Sequence, residues 1–182
     1  MAANAIRIIG GQWRGRRLHL PDVPALRPTP DRVRETLFNW LGQDLTGRTT
    51  LDPFAGSGAL SFEALSRGAA LAVAVDRDRA LVRALVATGE KLGTRVLEVH
   101  CAEAQSFMLR DARCYDVIFL DPPFAAYHWA RLLPLAAARL APSGWLYVEA
   151  PEPIAAPPGL ALWRSDKAGQ VHYHLLRHAG KN

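Results

Sequence analysis

The stretch Asp121-Pro122-Pro123-Phe124 has the residue types of a site that acts on a planar substrate with an amino group. It follows an apolar run at residues 117–120, which predicts a buried strand ending at the rim of a sheet. Two consecutive prolines restrict the backbone and hold the Asp121 carboxylate rigidly. The amino group could donate to Asp121 and to the Pro122 carbonyl while the ring stacks on Phe124. A tight turn with a helix-capping Asp and a core Phe is an equally good explanation.

A second candidate site is the glycine stretch at residues 52–60, which reads as a strand, a turn and a helix. It differs from the dinucleotide-binding pattern, because Ser61 stands where the third glycine would be and an acid precedes the glycines. Gly56 and Gly58 would let a ligand approach the backbone closely. A pyrophosphate would be repelled by Asp52, whereas the ammonium group of a methionine moiety would pair with it. The stretch therefore favours S-adenosylmethionine over NAD.

Two further carboxylates follow the next strand-like runs. Asp76 lies 20 residues beyond Gly56 at the end of the second run, where a carboxylate can accept from both ribose hydroxyls. Glu103 could reach an adenine amine, but a solvated Glu at a helix start is the interpretation that we favour. We assign six residues to cofactor binding: Asp52, Phe54, Gly56, Gly58, Asp76 and Glu103.

The elements that would position these residues alternate along the chain from Thr49 onward. Strand-like runs end near Asp52, Asp76, His100, Leu120 and Glu149, with helix-like runs between them at about 57–67, 78–92 and 127–140. This alternation predicts an α/β fold with a Rossmann-like, doubly wound, mostly parallel sheet. The runs at residues 160–164 and 170–177 predict an antiparallel C-terminal hairpin at the sheet edge. Ligands of such sheets bind at the carboxyl ends of the strands, where Asp121 is expected.

The N-terminal segment is basic. Residues 1–40 hold seven Arg against three acidic residues, which is +4 of the chain's net charge of +5. Residues 6–9 and 12–20 predict a β-hairpin with Gly10-Gly11 as its turn. Arginines give bidentate phosphate contacts, so the hairpin is predicted to bind RNA through Arg7, Arg14, Arg16 and Arg17. A solvated face is the alternative for these arginines, and for Trp13 we favour a role in covering the core.

A helix is expected after a proline-rich linker at residues 21–30. Thr29 would be its N-cap, Pro30 its first residue and Gly42 its end. Val33, Leu37, Trp40 and Leu41 would form its apolar face, and Arg32 and Arg34 would lie off that face. We divide the chain into an RNA-binding extension at residues 1–46 and a Rossmann-like domain that would bind S-adenosylmethionine at residues 47–182.

Composition excludes several classes of protein. The 182 residues are 49% apolar with a mean hydropathy of −0.02, as in an ordinary globular domain, and no run approaches the roughly 20 apolar residues of a membrane span. Residues 1–5 do not resemble a secretory signal. Cys101 and Cys114 are too few for a disulfide framework, and the six His form no cluster. We expect a cytoplasmic monomer with neither a metal nor a membrane partner.

The motifs together resemble a known family. Residues 52–60 with residues 121–124 look like the Rossmann-like S-adenosylmethionine-dependent methyltransferases that act on exocyclic amino groups. Residues 7–18 and 27–41 closely resemble the bacterial 16S rRNA guanine-N2 methyltransferases of the D type, and the match covers nearly the whole chain. The resemblance implies transfer to N2 of one guanine of 16S rRNA, with the assembled 30S subunit as substrate. Glu103 departs from the family pattern, in which Asp or Asn is more usual.

Three other functions remain open at this point, in decreasing order of support. An adenine-N6 methyltransferase of DNA or RNA would use the same Asp-Pro-Pro-aromatic pattern, more often with Tyr last. An NAD-dependent oxidoreductase would share the fold, but Asp52, Ser61 and the two prolines argue against it. A non-catalytic RNA-binding module would explain the basic hairpin but not the two acidic strand ends at Asp76 and Asp121.

Overall fold

The structure is a computed structural model that describes residues 5–19, 29–123 and 129–180. A two-stranded antiparallel sheet comprises β1 (Ala5–Arg7) and β2 (Arg17–His19). The main sheet has seven strands in the order β5-β4-β3-β6-β7-β9-β8. These strands are β3 (Thr49–Asp52), β4 (Leu71–Asp76), β5 (Leu97–Cys101), β6 (Tyr115–Leu120), β7 (Leu140–Ala150), β8 (Leu160–Ala168) and β9 (Val171–His178). The first five run parallel, and β9 pairs antiparallel with both β7 and β8.

Helices cover both faces of this sheet. They are α1 (Asp31–Leu41), α2 (Ala59–Ser66), α3 (Arg79–Leu92), α4 (Ala104–Arg110) and α5 (Trp129–Ala138). One buried cluster joins α1, α2, α3 and the N-terminal hairpin to a face of the sheet, and a second joins α4 and α5 to the opposite face. The doubly wound α/β fold with an antiparallel C-terminal hairpin and an N-terminal hairpin is therefore confirmed. No helix of the described residues is long and apolar enough to span a bilayer.

The N-terminal hairpin differs in detail from its prediction. Its strands are short, and the connection between them is nine residues long, so Gly10-Gly11 is only one part of it. Trp13 is 7% exposed and lies in the core with Ile8 and Leu18, as favoured for this side chain. Ile8 still bonds across the hairpin to Gly15 and Arg16, whereas the N–H groups of Gln12 and Trp13 donate to Ser66 of α2.

Helix α1 corrects two expectations. Its N-cap is Pro30, with no side-chain capping bond, so Thr29 is not the cap. Arg34 does not lie off the apolar face, since it is 1% exposed and buried beside Val33 and Leu37. Helical periodicity alone predicts an exposed Arg34. The side chain is buried because its guanidinium contacts a carboxylate and a carbonyl from other segments. The predicted end at Gly42 is confirmed, with a left-handed φ of 94°.

Candidate active site

Three carboxylates lie on neighbouring strands at the carboxyl edge of the parallel sheet. Asp52 ends β3, Asp121 directly follows β6, and Glu149 lies near the end of β7. Leu120 pairs with Val148, so the next pair along the two strands brings Asp121 and Glu149 side by side. Side chains alternate between faces along a strand, which places all three on the face covered by α1 and α2. The sequence prediction that Asp121 lies at a ligand-binding edge is consistent with this position.

The surroundings of Asp121 disfavour its ionised form. Burial raises its pKa well above the ordinary value, and the negative charges of Glu149 and then Asp52 raise it further. Pro122 is buried and Pro123 is exposed, so the proline pair joins the sheet edge to the surface. Phe124, the predicted stacking residue, lies outside the described residues.

Glu149 is a residue of the site that sequence reasoning missed. It is 5% exposed and accepts a hydrogen bond of 2.8 Å from the Tyr147 hydroxyl. The Thr29 hydroxyl also donates to it, and burial raises its pKa. The available signal is a single acid inside the apolar run at residues 146–150, where the pattern alone indicates only the end of a strand.

The glycine loop connects β3 to α2 as predicted. Gly56 and Gly58 have left-handed φ angles of 51° and 76°, which side chains rarely adopt. A Cβ on Gly58 would also overlap Leu85 of α3. Gly58 is the N-cap of α2, so the loop brings unsubstituted backbone and a helix N-terminus to the sheet edge.

Asp52 lies beneath the glycine loop and is 3% exposed. Its carboxylate accepts from the Ser61 hydroxyl at 2.9 Å, and the Phe54 N–H also donates to it. Burial raises the pKa of Asp52 to about 7, with a further contribution from the charge of Asp76. A cationic group brought next to Asp52 would favour its ionised form, which fits the ammonium of a methionine moiety. Phe54 itself packs against the core cluster on the α4 and α5 side.

Asp76 is held by the backbone on both of its oxygens. The Gly56 N–H donates to Oδ2 at 2.9 Å and the Asp78 N–H donates to Oδ1 at 2.8 Å. Each carboxylate oxygen has a further lone pair, so Asp76 is oriented and can still accept from the two hydroxyls of a ribose. The residues of the loop and of Asp76 therefore fit a methionine-linked nucleoside.

Glu103 is the N-cap of α4, and its carboxylate accepts from the Ser106 N–H at 3.0 Å. The interpretation of Glu103 as a helix-start residue is confirmed. A contact with adenine stays a prediction.

The basic side chains of the hairpin are exposed at Arg7, Arg14, Arg16 and Arg17. Arg7 pairs with Asp31 at 3.4 Å, whereas the described part of the chain offers no ion pair to the other three. The side chains of Arg14, Arg16 and Arg17 are therefore exposed without an ion pair among the described residues, whereas Trp13 is buried. Across residues 5–19, 29–123 and 129–180, no group of three or more acidic, His or Cys side chains could hold a metal ion.

A doubly wound sheet of this strand order with a glycine loop at the carboxyl ends of its strands is the fold of the class I methyltransferases. The model of the family described as "Conserved hypothetical protein 95" matches residues 6–177. The chain belongs to this family.

Named relatives agree with this assignment. Ribosomal RNA small subunit methyltransferase D of Escherichia coli strain K12 is 45% identical over 181 residues, covering 94% of this chain and 89% of the relative. The protein of the same name from Haemophilus influenzae is 36% identical over 184 residues, covering 97% and 95%. The solved structure of yhhF from Escherichia coli has a TM-score of 0.87 at 42% identity and covers 98% of this chain and 100% of that chain. The resemblance that the motifs indicated is confirmed.

Proposed function

We propose that this protein transfers a methyl group from S-adenosylmethionine to the exocyclic N2 of one guanine in 16S rRNA. The observation that carries the proposal is Asp121, held at the sheet edge between Asp52 of the glycine loop and Glu149. The names of the relatives support a small-subunit rRNA as the substrate. They give no support to the adenine-N6 alternative.

The reacting nitrogen needs help because its lone pair is delocalised into the guanine ring. Asp121 and the Pro122 carbonyl would accept its two N–H bonds from outside the ring plane and shift it toward tetrahedral geometry. The lone pair would then point at the methyl carbon for in-line displacement, in which the N–C bond would form, the carbon–sulfur bond would break and S-adenosylhomocysteine would leave. Positioning of this kind can supply roughly 7–11 kcal/mol of the barrier. When bound, S-adenosylmethionine supplies the activated methyl group on its sulfonium.

Asp121 would also stabilise the positive charge that develops on N2 and accept the proton that N2 loses. As the new N–C bond forms, positive charge grows on N2, and an ionised Asp121 stabilises it. The N2 proton then passes to the Asp121 carboxylate and returns the nitrogen to neutrality. Burial and the charge of Glu149 raise the pKa of Asp121, which favours it as the acceptor of this proton.

The cofactor would be held by the residues of the glycine loop. Asp52 would pair with the ammonium group, and the backbone at Phe54, Gly56 and Gly58 would hold the methionine moiety. Asp76 would accept from the ribose hydroxyls, and its two backbone bonds orient its carboxylate. Glu103 would contact the adenine amine from the start of α4.

The target guanine would be extruded from its RNA context and stacked on Phe124. Arg7, Arg14, Arg16 and Arg17 would bind phosphates, which adds affinity and orientation rather than base choice. We propose residues 1–46 as the RNA-binding extension and residues 47–182 as the catalytic domain. We further propose that the protein acts as a cytoplasmic monomer on the assembled 30S subunit.

The test is methyl transfer from radiolabelled S-adenosylmethionine to unmodified small ribosomal subunits, followed by nucleoside mass spectrometry. Naked 16S rRNA and DNA are run in parallel. N2-methylguanosine from the subunits is the expected product, and a preference over naked rRNA would show that assembled structure is recognised. N6-methyladenosine would replace this proposal by its alternative, and no transfer to any substrate would overturn it.

A further inference from the structure

The carboxylate of Glu63 joins the N-terminal hairpin to helix α2. Glu63 is fully buried, and the backbone N–H groups of Ile9 and Gly10 donate to its two oxygens at 2.9 and 2.8 Å. The Nε of Arg67, the C-cap of α2, donates to it at 2.9 Å. The Arg34 Nη1 approaches it at 3.4 Å from α1. Donors from three segments therefore converge on one side chain.

The hairpin approaches α2 closely at this point. Ser66, one turn after Glu63, donates from its hydroxyl to the Gly10 carbonyl at 2.6 Å and accepts from the Trp13 N–H at 2.9 Å. A Cβ on Gly11 would overlap the Ser66 carbonyl, and one on Gly10 would overlap the Arg67 guanidinium. Gly10-Gly11 thus serves the contact with α2 and not only a turn.

Arg34 connects α1 to the contact between the N-terminal hairpin and α2. Its guanidinium donates to the Arg7 carbonyl at 2.9 Å and pairs with Asp31 at 2.6 Å. A buried carboxylate and a buried guanidinium hold each other in place because either charge alone would be costly in the interior. The segments on each side of Glu63 are the two that the proposed reaction must align: the hairpin with Arg14, Arg16 and Arg17, and the helix that begins at the glycine loop.

We propose that Glu63 is a positioning residue that fixes the RNA-binding hairpin to the helix of the methyl-donor loop, so that the phosphate contacts and the reacting edge keep one geometry. This inference rests on the proposed function. Glu63 touches neither substrate, and it acts through the Ile9 and Gly10 backbone.

The test compares Glu63→Gln with the wild type. The amide keeps the size of the side chain but removes the charge that Arg34 and Arg67 neutralise, and its NH₂ group cannot accept from a backbone N–H. Ser66→Ala is a milder variant that removes two hairpin bonds without changing a charge. Glu90→Gln is the matched control, since Glu90 is exposed on α3.

Three quantities are measured for each variant: amide hydrogen exchange at Ile9 and Gly10, the Kd for small ribosomal subunits, and the Kd for S-adenosylmethionine with kcat at saturating subunits. Glu63→Gln should speed exchange at both amides and raise the subunit Kd about tenfold, the effect of releasing a few ordered groups. The cofactor Kd and kcat should stay close to wild type. Ser66→Ala should speed amide exchange and raise the subunit Kd by less than Glu63→Gln does. Glu90→Gln should leave all of the measured quantities at their wild-type values.

Two results would overturn the inference. Faster amide exchange with an unchanged subunit Kd would mean that the contact of Glu63 with the hairpin does not position the hairpin for RNA binding. Parallel loss of cofactor affinity and kcat would mean that Glu63 supports the fold as a whole; if Glu63→Gln does not fold, Ser66→Ala decides by the same measurements. If the wild type binds subunits but methylates no guanine, the proposed function fails and the Kd comparison still tests Glu63. If the wild type binds no subunits, the proposed function and the inference about Glu63 both fail.

Discussion

The Thr29 hydroxyl donates to the Glu149 carboxylate, which lies next to Asp121 at the sheet edge. This bond links the segment before α1 to the centre of the proposed active site. Glu149 also accepts from Tyr147, so two hydroxyl groups hold its carboxylate in place beside the reacting one. Glu149 is thereby placed to set the charge state of Asp121 without contacting the substrate.

Glu149→Gln should move the acidic limb of the pH–activity profile to lower pH. The negative charge of Glu149 raises the pKa of Asp121, and transfer needs Asp121 ionised, so activity rises as the pH passes this pKa. Removing the charge lowers that pKa, and the variant should become active at lower pH than the wild type. The measurement is kcat/KM for small subunits against pH, with Glu90→Gln as the control. An acidic limb at the same pH in the variant and the wild type would show that the charge of Glu149 does not set the pKa of Asp121.

Asp121→Ala should abolish methyl transfer and leave cofactor binding intact. The methyl side chain can neither accept from N2 nor stabilise its growing charge, whereas the glycine loop is not altered. Single-turnover transfer and calorimetry with S-adenosylmethionine measure the two effects separately. Normal turnover by this variant would remove Asp121 from the chemistry.

Asp76→Ala should weaken cofactor binding rather than the chemical step. Two charge-assisted hydrogen bonds to ribose hydroxyls would be lost, and the Gly56 N–H would lose its acceptor. Losses of about 1.5–3 kcal/mol per charged bond predict a Kd for S-adenosylmethionine raised by tenfold or more. Calorimetry is the measurement, and unchanged affinity would exclude Asp76 from the ribose role.

The parts of the fold that depend on local pattern could be predicted from the sequence. Alternating apolar runs located the parallel strands, and the glycines with the acids at 52, 76 and 121 marked their carboxyl ends. What could not be predicted depends on distant partners. Arg34 and Glu63 are 29 residues apart, and each is buried with hydrogen-bond partners from other segments of the chain. The contact of Gly10-Gly11 with Ser66 likewise follows from docking rather than from turn propensity.

Neutralising the hairpin arginines should lower the salt dependence of RNA binding. Each phosphate contact contributes about −0.7 to the slope of log K against log salt for single strands, so Arg14→Gln, Arg16→Gln and Arg17→Gln together should reduce it by about 2. Arg83→Gln, on an exposed position of α3, is the matched control for the loss of one charge. Subunit binding is measured over a salt series. A slope that the triple variant leaves unchanged would place the RNA elsewhere.

Asp52→Asn should stabilise the protein at neutral pH and weaken its binding of S-adenosylmethionine. Burial raises the pKa of Asp52 from 3.8 to about 7, so the folded state binds a proton that the unfolded state releases between these values. Wild-type stability should therefore fall as the pH rises from about 4 to 7, by about 4 kcal/mol at 1.36 kcal/mol per pH unit. Asn cannot ionise, and it still accepts from Ser61.

The measurement for Asp52→Asn is the free energy of unfolding in urea at pH 4.5 and at pH 8, with and without cofactor. The variant should gain on the wild type at pH 8 and gain little at pH 4.5, while the stabilisation that cofactor adds should shrink. A buried carboxylate that binds a cationic ligand is expected to lower the stability of the ligand-free protein and to raise the affinity for the ligand. Equal differences at both pH values would show that Asp52 is ionised throughout this range and that its burial carries no such cost.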